Sequence, residues 1–170
     1  MTATEESLFR GAARTARSTG VPVSIRYGKD AVDDLEVVLD EKLPAGRVVV
    51  GGLDRKDAVA AGAPLQIARR GAFVALDHVG LDDGAHVTDR ERAALVAELV
   101  KAGHGNRVLL SSNVIGVTKG QPGYDLPYSY VLSTFVPLLM TQGLSHEDVQ
   151  RIVVDNPRDL LSVRRPRDSG

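Results

Sequence analysis

The sequence predicts an α/β fold in which four strand–helix units form one parallel β-sheet. Four short runs are apolar throughout rather than alternating, which is typical of strands that are covered on both faces. Each run is followed by a segment with helical periodicity, and strands that alternate with helices form parallel sheets with right-handed connections. No linker rich in Pro, Gly or Ser separates these units, so we expect a single domain over residues 1–170 with a flexible tail at 163–170.

Capping signals and apolar runs set the order of the elements. Thr2 and Glu5 have the spacing of a capping box that opens the first helix, and Gly20 ends that helix. Thr88 and Glu91 repeat this spacing and open a later helix that runs to about residue 103. The predicted strands are 21–25, 47–51, 72–77 and 107–111, and the further helices are 30–43, 57–70 with a break near Gly62 and Pro64, 128–142 with a kink at Pro137, one that Ser145 caps, and a short one over 156–161.

Composition and charge exclude several classes of function. The net charge of −1 gives no basic surface that would bind nucleic acid or an acidic membrane. The absence of cysteine excludes disulfides, thiolate metal ligands and cysteine nucleophiles. The N-terminal segment has the pattern of an amphipathic helix rather than a signal peptide, and no run approaches the ~18 apolar residues of a membrane span. We therefore expect a soluble, cytoplasmic protein.

Chemistry-bearing residues collect at the carboxyl ends of the four strands. In parallel α/β folds the reactive groups lie just beyond these ends. In chain order the strand ends carry Arg26 with Tyr27, Gly52 with Asp54 and Arg55, Asp77 with His78, and Ser112 with Asn113. Only one of the four ends has a histidine, and that histidine stands beside a carboxylate.

The segments that carry these ends resemble the C-terminal half of the phosphotriesterase family, in the amidohydrolase superfamily. The matching stretches occur in the family's order from about Leu8 to Val163, and they are GVPVSIRYG, RVVVGGLDR, GAFVALDHVG, RVLLSSNV, FVPLLMTQGLS and IVVDNPRDLL. The resemblance implies half of a TIM-type (β/α)8 barrel. It also implies a zinc-dependent hydrolase that acts on ester bonds at a two-metal site.

The second half of the family's barrel supplies three metal ligands, and the resemblance places other residues at all three positions. Arg26, Gly52 and Asn113 stand where the family has a histidine, a histidine and an aspartate. Arg26 has no lone pair to donate, and at about 4 Å a divalent ion would repel it by roughly 8 kcal/mol at an effective dielectric of about 20. Gly52 has no side chain, and the neutral Asn113 amide is not a base for a metal-bound water. We therefore expect no metal site and no cofactor.

The polar residues at the strand ends leave several roles open. Asp77 and His78 are the candidates for acid–base catalysis, although adjacent strand residues point to opposite faces and are not an obvious pair. His78 could equally be a hydrogen-bonded structural histidine. Arg26 with Tyr27 could bind a phosphate or carboxylate, or Arg26 could pair with Asp54 or Asp77 in the space of the missing metals.

Further candidates lie in the same loops. Asp54, Arg55 and Asn113 could bind a substrate, although an ion pair that involves Asp54 and Arg55 could instead fix their loop. The remaining histidines are expected to be too scattered for a metal cluster: His86, His104 and His146.

Four parallel strands do not close a barrel, which needs about eight. The open strand edges, and an apolar barrel interior, would then invite association. We expect a homodimer that closes an eight-stranded barrel, with a partner chain that supplies the first half as the alternative and a flattened monomer as the third option. The residues expected to face the open interior are Val21, Val23, Ile25, Val48, Val50, Phe73, Ala75, Val108 and Leu110.

Three hypotheses for the function follow. The first is a catalytically degenerate pseudoenzyme that binds a small anionic or polar ligand or serves as an assembly module. The second is a metal-independent enzyme, a hydrolase, isomerase or cyclase acting on a small ester, lactone or related metabolite. The third is a subunit that completes a split metal-dependent hydrolase.

Overall fold

A computed structural model of the protein describes residues 1–26, 28–114 and 126–163. The strands are β1 (Val23–Arg26), β2 (Val48–Gly51), β3 (Phe73–Leu76) and β4 (Val108–Leu110). They form one parallel sheet in the order β1-β2-β3-β4. The predicted α/β fold is therefore confirmed, with strands slightly shorter than the apolar runs. Tyr27 lies outside the described residues, as do residues 164–170 of the tail that was predicted to be flexible over 163–170.

The helices follow the strands as the sequence predicts. They are α1 (Ala3–Thr19), α2 (Ala31–Leu39), α3 (Lys56–Ala60), α4 (Ala63–Arg69), α5 (Asp89–Lys101), α6 (Val136–Thr141), α7 (His146–Gln150) and α8 (Asn156–Leu161). The capping boxes of Thr2 and Thr88 are both formed, and Ser145 caps α7. Pro137 lies in the first turn of α6, directly after a π-helical turn over Val131–Phe135, because proline has no N–H to continue the regular ladder.

One face of the sheet packs against the helices and forms the main core. Its strand residues are Val23, Ile25, Val48, Val50, Val74, Leu76 and Val108, with Leu110 at its margin. Most of the residues that we expected to line an open apolar interior therefore lie on the helix side, and that expectation is wrong. When both faces of a strand are apolar, the sequence pattern does not tell which face the helices cover.

The opposite face of the sheet carries a smaller apolar cluster and is partly polar. Near the amino ends of the strands, Val49 and Phe73 pack against Leu160 of α8. Toward the carboxyl ends this face carries Ser24 and Arg26, which are exposed. Phe73 is thus one of the few predicted interior residues that does face this side.

The two outer strands of the sheet have one free edge each among the described residues. β1 pairs only with β2, and β4 pairs only with β3. Within the same part of the chain, no helix combines the length and the apolar character that crossing a membrane requires.

Candidate functional site

A buried carboxylate–imidazole pair lies at the carboxyl ends of β2 and β3. Asp54 follows β2, and His78 follows β3. The Nδ1 atom of His78 lies 2.8 Å from Oδ1 of Asp54, and the backbone N–H of His78 donates to Oδ2 of the same carboxylate at 2.8 Å. Asp54 is 0% exposed and His78 is 5% exposed. One carboxylate therefore holds the histidine through both its ring and its backbone.

Arg92 keeps this carboxylate charged from the first turn of α5. Its Nε donates to Oδ2 of Asp54 at 2.9 Å, and its Nη1 donates to Asp89. Burial raises the pKa of a carboxyl group, but the hydrogen bond from His78 and the charge of Arg92 outweigh burial and leave the pKa of Asp54 lowered. Asp54 is therefore an anion that orients His78 through hydrogen bonds, and because it is fully buried it does not contact a ligand directly.

Arg26 reaches the same imidazole from the end of β1. Its Nη2 atom lies 3.1 Å from Nε2 of His78. Because a guanidinium only donates, we assign Nε2 as the acceptor and place the ring proton on Nδ1, which donates to Asp54. The alternative in which Arg26 pairs with Asp54 or Asp77 does not occur among the described residues. The Arg26 residue remains exposed to solvent.

Asp77 ties the ends of β2 and β3 together. Its Oδ1 accepts the backbone N–H of Gly52 at 2.8 Å and lies 3.3 Å from Nδ1 of His78. A Cβ atom at Gly51 would come within 2.9 Å of Oδ2 of Asp77, so the glycine leaves room for the carboxylate. The expectation that Asp77 and His78 point apart is wrong, because both follow the last residue of β3 and strand alternation no longer applies there.

The other predicted binding residues lie apart from this network. Arg55 pairs with Asp57 at 2.8 Å, and both side chains are about half exposed, at 48% and 60%. Asn113 is exposed, has a φ of 46° and lines a cavity of about 410 Å³ beyond β4. Tyr27 is not among the described residues. Of the predicted site residues, the structure brings together Arg26, Asp54, Asp77 and His78.

His86 also belongs to this network, so the expectation that it is too scattered to join a cluster of possible metal ligands is wrong. Its ring stacks on His78 with ring centroids 3.8 Å apart, and its Nδ1 lies 2.8 Å from Oδ1 of Asp83. The only sequence signal is the short Asp83–His86 spacing within one loop, which does not indicate a contact with β3. Among the described residues, the two other histidines join no such cluster: His104 and His146.

Arg92 is the second site residue that was not predicted from the sequence. It lies on the same helical face as Val96 and Leu99, and all three are buried. An arginine within an apolar stripe indicates a buried ion pair, because an unpaired guanidinium is costly to bury. That signal was available, but it does not identify Asp54 as the partner.

The residues that the resemblance places at the family's metal positions do not offer the ligands of a binuclear centre. Arg26 presents a guanidinium, which cannot coordinate a cation. Gly52 offers no side chain, and its backbone N–H is already donated to Asp77. Asn113 offers a neutral amide on an exposed residue.

Asp54, His78 and His86 bring three ligand-type atoms within 4.8 Å of one another, and other groups already contact two of these residues. Asp54 and His78 share a hydrogen bond of 2.8 Å, which an ion would have to replace. The two imidazoles are stacked, with ring centroids 3.8 Å apart and an interplanar angle of 30°. Guanidinium groups of Arg26 and Arg92 also contact this cluster, and both repel a cation.

The chain is similar to known proteins in both sequence and structure. The model of the phosphotriesterase family matches residues 1–161. A phosphotriesterase homology protein of Escherichia coli (strain K12) is 31% identical over 165 residues, which cover 95% of this chain and 54% of that relative.

Solved structures give the same result. A resiniferatoxin-binding protein from Rhodobacter sphaeroides superimposes with a TM-score of 0.83 at 27% identity, over 96% of this chain and 48% of its own. The Escherichia coli phosphotriesterase homology protein, complexed with phosphate in its active site, gives a TM-score of 0.81 at 30% identity, over 95% and 55%. The chain therefore spans about half the length of the relatives that it matches, and these relatives are TIM-type barrels.

Proposed function

The chain belongs to the phosphotriesterase family, and from that premise we propose that it is a metal-free member that binds a small oxyanion at Arg26 and His78. The observation that carries this proposal is the 3.1 Å contact between Nη2 of Arg26 and Nε2 of His78 at the rim of the sheet. A guanidinium binds phosphate and carboxylate oxygens through paired N–H donors. A relative with the same fold holds phosphate in its active site, which supports this class of ligand.

The hydrogen-bond donors of Arg26 and His78 can bind such an anion. An oxyanion would accept the Arg26 N–H that His78 accepts in the free protein. His78 could then donate from Nε2 after taking up one proton, while its Nδ1–H continues to donate to Asp54. Arg92 pairs with Asp54 and Asp89, and among the described residues Arg26 forms no ion pair with a carboxylate, so its charge is available to the ligand.

Binding of inorganic phosphate, measured by isothermal titration calorimetry, tests the proposal. Removal of a charge-assisted hydrogen bond costs about 1.5–3 kcal/mol, so Arg26→Met should weaken binding by about tenfold or more. Arg90→Met is the matched control, because Arg90 is also an exposed arginine but lies on α5. Equal affinity of wild type and Arg26→Met, or stoichiometric zinc in the purified protein, would refute this function.

A second candidate is a metal-independent enzyme, and the Asp54–His78 pair favours it. A carboxylate that accepts from Nδ1 leaves Nε2 of His78 as a base, which is the arrangement of acid–base catalysts. Arg26 would stabilise a developing oxyanion in the opening of an ester or lactone. Turnover of lactone and ester substrates that survives a chelator and is lost in His78→Ala would support this candidate over simple binding.

We also propose that the sheet edges are covered by another chain. The free edges of β1 and β4 support this proposal, because unpaired strand edges recruit further strands. A second copy would close eight strands around a two-fold axis, and a partner that supplies a first half, as in a split hydrolase, is the alternative. Light scattering at micromolar concentration separates the two, since only the homodimer forms from the purified chain alone. A monomer in this measurement would refute the homodimer.

A further inference from the structure

The ring of His86 covers one face of the His78 imidazole. The ring centroids lie 3.8 Å apart at an interplanar angle of 30°, and both residues are more than nine-tenths buried. On its other side, His86 is held by Asp83, whose Oδ1 lies 2.8 Å from Nδ1 of the ring and also accepts the backbone N–H of His86 at 3.2 Å. The hydrogen bond from His86 lowers the pKa of Asp83 to about 2, so this carboxylate is charged at neutral pH. The site therefore contains two carboxylate–imidazole pairs, stacked on each other.

Backbone hydrogen bonds join the segment that carries Asp54 to the segment that carries His86. The N–H of Val87 donates to the carbonyl of Asp54 at 3.0 Å, and the N–H of Lys56 donates to the carbonyl of Ala85 at 3.0 Å. These bonds flank an antiparallel bridge between Arg55 and His86. These bonds therefore fix the positions of Asp54 and His86 relative to each other, and both residues contact the His78 ring.

We infer that His86, held by Asp83, is a positioning residue that keeps the His78 imidazole in the orientation in which Nε2 faces Arg26 and its ligand. This inference rests on the proposed anion site. In the free protein, the ring of His78 has contacts at Nδ1, at Nε2 and on the face that His86 covers. When an anion takes over the Arg26 donor, the contact between Nε2 and Arg26 is lost. The hydrogen bond to Asp54 and the stack on His86 then hold the ring.

The expected size of the effect follows from the stacking contact. A stacked aromatic pair contributes enough free energy to change a binding constant by about three- to tenfold. His86→Ala removes both the stack and the contact with Asp83, so it should weaken phosphate binding by that factor. His86→Phe restores a flat ring without a hydrogen bond to Asp83, so it should bind phosphate within about twofold of wild type. His146→Ala is the control, because His146 is an exposed histidine on α7.

The ring of His78 gives a readout that does not depend on phosphate. In wild type, the ¹⁵N chemical shifts of His78 should show one tautomer, with the proton on Nδ1. In His86→Ala the two ring nitrogens should move toward averaged values, and in His86→Phe they should stay separate. If wild type does not bind phosphate, the anion site fails, while these shifts still decide whether His86 positions His78.

Three results would overturn the inference. The first is unchanged His78 shifts in His86→Ala. The second is a His86→Phe variant that is as impaired as His86→Ala. The third is an effect of equal size in His146→Ala. If His86→Ala does not fold, His86→Leu serves instead, because it fills the same space without an aromatic ring, and it should shift the His78 signals in the same direction.

Discussion

Replacement of Arg92 by methionine is expected to destabilise the protein more than any surface charge substitution. The side chains of Arg92 and Asp54 are both 0% exposed and joined by a 2.9 Å ion pair. Arg92→Met keeps a long, unbranched side chain in the core, but it leaves Asp54 with His78 as its remaining side-chain partner. Removal of one partner of a buried ion pair costs about 3–5 kcal/mol, because the other charge stays buried. In a chain of 170 residues that loss lowers the melting temperature by about 6–20 °C.

Thermal and urea unfolding followed by circular dichroism measure this loss. The control is Arg70→Met, which breaks a pair with Glu36 whose side chains are 34% and 51% exposed, and it should cost at most about 1 kcal/mol. Adding Asp54→Asn to Arg92→Met should recover part of the stability, since a neutral amide needs no counter-charge. A loss for Arg92→Met no larger than that for Arg70→Met would refute the assignment of Arg92 as the charge partner of Asp54.

Two further predictions concern stability. Asn156→Ala should cost about 1–3 kcal/mol in thermal unfolding, because its buried amide donates to the Val108 carbonyl at 2.7 Å and the carbonyl would lose this partner. The lowered pKa of Asp54 stabilises the fold at pH values above the ordinary carboxyl value of about 4, and this contribution is lost as the pH falls through the lowered pKa. As the pH is lowered, the free energy of unfolding should therefore fall less steeply in Asp54→Asn than in wild type. Parallel curves of unfolding free energy against pH would contradict this prediction.

The fold was largely predictable because its signals are local. Strand runs are bounded by glycine or charged residues, and the capping boxes of Thr2 and Thr88 depend on residues three positions apart. The choice of the covered face of the sheet was not predictable in the same way. Val49 and Val50 are adjacent and have the same side chain, so the sequence does not distinguish them. In the structure Val50 lies in the main core on the helix side, whereas Val49 packs against Leu160 on the opposite face.

The site was predictable only in part, for a related reason. Residues at strand ends meet because parallel strands end at one edge of the sheet, and this rule identified Arg26, Asp54 and His78. The same rule gives no information on residues that arrive from loops and helices. His86 reaches His78 from the loop before α5, and Arg92 reaches Asp54 from the helix itself. Such contacts depend on the path of the chain between elements, which periodicity does not report.

The anion site and the assembly of the sheet are connected through β1. Arg26 lies on this edge strand, and a chain that pairs with the free edge would shield the guanidinium from solvent. A charged hydrogen bond is stronger where the local dielectric is lower, so shielding should strengthen phosphate binding at Arg26. If the chains associate, phosphate affinity should therefore rise with protein concentration across the range in which light scattering detects the dimer. An affinity that stays constant across that transition would mean that Arg26 binds its ligand away from the covered edge, and the two proposals would then be independent.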